Sequence, residues 1–86
     1  MKKNEKAPEY ITDLPNGDKE ITISNGIKIK MREPKVKDGM MVSHESDELK
    51  REIALIGNLC VMTSDDVADL TLKDFSKVQE ALKSFL

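Results

Sequence analysis

The sequence predicts an α+β fold, with an N-terminal antiparallel β-hairpin of two or three strands followed by three to four short helices. Three observations carry that prediction. Two alternating apolar segments meet at Asn25-Gly26, apolar residues recur at helical spacing from Leu49 onward, and two Thr-led capping boxes punctuate the second half. At 86 residues the chain has room for one small domain, and a domain of that size buries only about 60–65% of its unfolded surface.

The hairpin comes first. Residues 1–8 are polar and Lys-rich and read as a flexible tail, leaving 9–86 as the single domain. EYITDL (9–14) reads as a short segment that would make a third strand, and PNGDK (15–19) is a dense turn cluster. In EITIS (20–24), Ile21 and Ile23 share a face; in IKIKM (27–31), Ile27, Ile29 and Met31 do. Asn25-Gly26 between them is the signature of a two-residue type I′ loop, because both residues accept positive φ cheaply. Pro34 cannot donate to a ladder and closes the hairpin, about 20–33.

The helical half follows. A helix of about 47–61, capped by Ser46 or Asp47, puts Leu49, Ile53, Ile56 and Cys60 on one stripe, widened by Leu55 and Leu59. Asp47, Glu48 and Glu52 lie where the helix dipole favours acids. Thr63-Ser-Asp-Asp66 and Thr71-Leu-Lys-Asp74 are capping boxes, with Met62/Val67 and Leu70/Phe75 as their staples. They start helices of about 64–69 and 72–85, the second with Leu72, Phe75, Val78, Leu82 and Phe85 on one face. Met40 and Met41 begin either a short helix or a connector, as core filling or as an adaptable contact surface.

Chemistry is sparse. His44, the one histidine, has no orienting partner or nucleophile beside it and reads as a surface residue. Cys60 lies on an apolar stripe and reads as a small core hydrophobe. Asp65, Asp66 and Asp69 cluster, but helix capping accounts for Asp66 and no calcium-loop spacing is present. No phosphate-binding glycine loop or nucleophile elbow occurs, so neither an enzyme, a cofactor, a metal nor a small-molecule substrate is expected.

Charge separates the halves. Residues 1–38 hold nine Lys/Arg against seven Asp/Glu, and residues 39–86 hold five against nine. That suits self-association or a protein partner better than a polyanion. Lys28, Lys30, Arg32, Lys35 and Lys37 form a basic run without interleaved aromatics, which suits edge-strand protection better than nucleic acid. No apolar stretch approaches the roughly 18 residues a membrane span needs, and the single cysteine suits a reduced cytoplasm.

Taken in order, "MREPKVKD", "ELKREIALIGNLC" and "TSDDVADLTLKDFSKVQEALKSFL" resemble the tail assembly chaperones of long-tailed bacteriophages, the E-type and Mu-like tail assembly proteins. The resemblance covers roughly residues 20–86. Its most specific marks are Arg32-Glu33-Pro34 with Asp38, then Thr63 to Leu70 with Asp74, and Phe85. It implies a non-catalytic protein that binds the tape measure protein, with the tail tube protein as a further partner and self-association as a tendency. Such proteins work in the bacterial host cytoplasm and are absent from the mature virion. Arg32, Glu33, Pro34 and Asp38 are expected to be structural, and Leu55, Leu59, Leu82, Phe85 and Leu86 are candidates for partner contact. Two other readings stand beside it: a small DNA-binding regulator using 72–85 as recognition helix, and a generic protein-interaction adaptor.

Overall fold

A computed structural model describes residues 8–86, so all but Pro8 of the expected tail lies outside the described residues. Among the described residues the chain forms three strands and then four helices. These are β1 (Ile11–Asp13), β2 (Lys19–Thr22), β3 (Lys28–Met31), α1 (Val36–Val42), α2 (Glu48–Cys60), α3 (Ser64–Ala68) and α4 (Leu72–Phe85). The fold is α+β, with the third strand formed.

The sheet is antiparallel in the order β1-β2-β3. Ile11 pairs with Ile21 and Ile21 with Ile29, so three β-branched side chains line up across the inner face. Thr12, Glu20 and Lys30 form the matching row on the outer face, where Lys28 and Glu20 stand 3.9 Å apart as a surface pair.

The hairpin loop differs from the two-residue expectation. Asn25 (φ 63°) and Gly26 (φ 73°) do hold positive φ. However, Ile23 N–H donates to Ile27 O at 2.8 Å, so Ser24 joins them in a three-residue loop. Side-chain parity explains it. A two-residue loop would pair Ile23 with Lys28 and Ile21 with Lys30, setting core residues against solvent residues. One extra residue restores Ile21 opposite Ile29.

The helices cover the inner face. One core joins Ile11, Ile21, Ile23, Ile29 and Met31 to Ile56 and Leu59 of α2, Val67 of α3, and Val78, Ala81 and Leu82 of α4. Two stripe residues fall outside it. Leu49 is 55% exposed and Leu72 85% exposed, each in the first turn of its helix, where they line one apolar hollow with Ile53, Val67, Ala68, Leu70 and Phe75.

Capping follows the sequence with one exception. Asp47 accepts from Lys50 N–H at 2.9 Å. Thr63 Oγ1 accepts from Asp66 N–H at 3.0 Å, and Asp66 Oδ2 accepts from Thr63 N–H at 3.3 Å, completing the first box. The second box is only half made. Thr71 Oγ1 accepts from Asp74 N–H at 3.1 Å, but the Asp74 carboxylate turns away to take Ser24 N–H at 3.1 Å and Ser24 Oγ–H at 2.9 Å. Asp74 is thereby a tertiary clamp between α4 and the hairpin loop. Burial pushes its pKa up, and the Ser24 hydrogen bonds with the Lys77 charge more than offset this, leaving it below the ordinary carboxylate value.

Candidate functional site

Two neighbouring places stand out, one polar and buried, one apolar and exposed. The polar one is the junction between β3 and α1. Pro34 keeps the chain extended, and Lys35 as N-cap supplies no side-chain cap. Asp38 fills that role from N3, accepting Lys35 N–H at 2.8 Å. Arg32 meets the same carboxylate in a fork, Nη1 to Oδ2 at 2.9 Å and Nη2 to Oδ1 at 2.6 Å. Asn58 Nδ2 of α2 donates to Oδ1 at 3.1 Å.

Asp38 is only 1% exposed, yet each of its oxygens takes two donors. Its pKa is lowered to about 2, mainly by the Arg32 hydrogen bonds working against burial, with help from the Lys35 N–H and the charges of Arg32 and Lys37. Arg32 is correspondingly raised by Asp38. Arg32 N–H also donates to Leu59 O at 3.1 Å, tying the strand to the end of α2. Glu33 N–H donates to Asp18 Oδ1 at 3.3 Å. Arg32, Glu33, Pro34 and Asp38 thus lie at one junction where three elements meet.

The apolar place begins at Asn58, whose amide also lies 3.6 Å from Met41 Sδ. Met41, Val42, Ala54, Gly57, Asn58, Val61, Met62, Thr63 and Asp66 line an open groove of about 570 Å³ between α1, the end of α2 and the start of α3. α2 ends in a turn in which Met62 N–H donates to Gly57 O at 2.8 Å, the Schellman arrangement. A Cβ on Gly57 would fall 2.6 Å from Met62 O, so that position admits only glycine without movement. The left-handed position is Val61, at φ 56° and ψ 48°. For a β-branched residue this costs roughly 1–2 kcal/mol.

The side chains nominated for partner contact divide. Leu59 (1% exposed) and Leu82 (4%) are core residues out of a partner's reach, whereas Leu86 is 86% exposed. Leu55 and Phe85 are half-buried against the core, and the Phe85 ring carries Lys19 Nζ at 4.9 Å. Val61 (91% exposed) and Val36 (83% exposed) also stand at the surface, which hydrophobicity alone does not announce. A missing glycine after an apolar helix was the one available signal.

Elsewhere, His44 is exposed. Cys60 is half-buried and burial pushes its thiol up to about 12, which suppresses the thiolate. Among the described residues no group of three or more His, Cys, Asp or Glu is placed to hold a metal. No described helix is long and apolar enough to cross a membrane. α4, the candidate recognition helix, buries Val78, Ala81 and Leu82 and shows solvent a mixed row of Lys73, Ser76, Glu80 and Lys83.

Comparison with known families adds the decisive observation. The family model described as "Phage tail assembly chaperone proteins, E, or 41 or 14" matches residues 17–86, which takes in β2, β3 and all four described helices. The chain belongs to that family. No curated protein and no solved structure matches it. As a tail assembly chaperone the protein works with protein partners during assembly, which directs attention to surfaces that could hold another chain.

Proposed function

We propose that this chaperone binds the tape measure protein before the tail tube polymerises, keeps it soluble and helps bring tube subunits to it. The observation that carries the reading is the family match across residues 17–86. The exposed apolar corner around Met41 and Val61 supports it, because an unassembled, long amphipathic partner needs apolar cover. The function is non-catalytic, exercised in the bacterial host cytoplasm and finished before the mature virion forms. A domain of 86 residues covers only a short stretch of a long partner, so several copies act on each tape measure chain.

Co-expression with tiled tape measure fragments tests this. At least one fragment is expected to shift from the insoluble to the soluble fraction and to co-purify with the chaperone. Fragments that remain equally insoluble across the whole tiling would overturn the reading.

A further inference from the structure

Val61 is the outlier from which a partner's chemistry can be read. Its left-handed backbone is one that glycine adopts freely, and strain of this kind is usually offset by packing, yet Val61 is 91% exposed. Glycine would close the same turn without strain, so stability does not account for valine. What valine adds is an isopropyl group held in solvent on a turn pinned by the Met62-to-Gly57 hydrogen bond. Met41, 60% exposed, and half-buried Met62 stand beside it in the groove.

The surroundings are acidic. Asp66 lines the groove, and Asp65 and Glu45 line an adjoining hollow that shares Ala54, with Lys50 the one cation there. α2 carries no basic residue in its last turn, so the negative end of its dipole also faces this corner unopposed by a side chain. Apolar floor and negative rim together select an occupant with the opposite rim.

We propose that this groove docks an amphipathic helix whose apolar stripe seats on Val61, Met41 and Met62 and whose flanking positions carry Lys or Arg. The proposal rests on the chaperone reading above and names the chemistry of the segment it takes. A second copy of the chain fits less well. Lys28 and Lys30 lie on the outer side of the sheet, where Thr12, Glu20 and Thr22 offer no apolar stripe. α1 does set exposed Val36 and Met40 beside Lys35 and Lys37, but it is only seven residues long, about two turns.

The test uses the full chain and a fluorescein-labelled peptide of about 20 residues, some 30 Å as a helix, with Leu at helical spacing and Lys elsewhere. One control replaces Lys by Glu, and another scrambles the order. Wild-type protein is expected to bind the first peptide roughly tenfold more tightly than either control. Val61→Gly should weaken that binding severalfold while raising the melting temperature by several degrees. Met41→Ser, at a largely exposed site, should weaken binding severalfold while lowering the melting temperature by no more than a few degrees. Unchanged affinity in both variants, or equal binding of the scrambled peptide, overturns the proposal. A wild-type dimer in sedimentation that Met41→Ser abolishes also overturns it, by giving the groove to a second copy. Loss of the groove with tape measure fragments still protected leaves the chaperone reading intact, while peptide binding with no fragment protected does the reverse.

Discussion

Asp38 and Val61 are opposite solutions set side by side, a charge withdrawn from water and an apolar side chain held out in it. Asp38 is buried, and both its oxygens are fully supplied with donors from β3, α1 and α2. Val61 is exposed on a strained turn, and the side chains around it leave a groove rather than a core. Asn58 connects the two, with one amide near both Asp38 and Met41. The difference teaches that the most charged stretch of this chain builds the scaffold, while an apolar corner stays exposed beside it. The scaffold also sets the corner, since the Asp38 network holds α1 and thereby the Met41 wall.

The comparison breaks most readily at Asp38. Asp38→Ala removes the acceptor for Arg32, Asn58 and the Lys35 N–H together and should cost about 3 kcal/mol, the lower end for breaking a buried pair because Arg32 can still reach water. Against the roughly 5 kcal/mol expected of a small domain, that brings the fold close to unfolding. Urea denaturation measures it, and a midpoint unchanged from wild type would mean the junction does not hold the fold.

Acid should expose the same dependence. The Asp38 pKa in the fold, about 2, lies below its ordinary value of 3.8, so the unfolded chain binds the proton more tightly. The stabilisation is complete above roughly pH 5 and is lost as pH falls through 4 towards 2. Asp74 contributes in the same direction. Circular dichroism at intermediate urea should show a steep loss in wild type and a shallower one in Asp38→Asn.

Gly57→Ala sharpens the other side of the comparison. Its Cβ would meet Met62 O at 2.6 Å, forcing the turn to move at a cost of about 1–3 kcal/mol. The same movement should reduce protection of a tape measure fragment. A variant as stable as wild type would show that the corner is softer than its hydrogen bonds imply.

Much of the scaffold was legible because it rests on short-range physics. Alternation gave the hairpin faces, and Asn25-Gly26 marked the turn, although parity in the same residues required the third loop member, Ser24. Thr63 and Asp66 announced α3 in full. Asp74 could not be read as a clamp on Ser24, since that contact spans 50 positions. α1 was ambiguous because its residues show no apolar period; the clue was an acid at Asp38, three places after a residue preceded by proline. The proposed contact surface was the hardest to see. Leu59 and Leu82 were nominated for their hydrophobicity, which is also what buried them. Val61 stands out through its left-handed backbone and its exposure, of which the letters carry only the missing glycine at the helix end.

The smallest change tests the central claim most directly. Val61→Gly relieves strain and deletes one exposed side chain, so stability and partner contact should move in opposite directions. Paired measurement of its melting temperature and of the soluble fraction of a co-expressed tape measure fragment is expected to show the first raised and the second reduced. A fragment protected as fully as by wild type, whatever the melting temperature, would contradict the assignment of this corner as the contact surface.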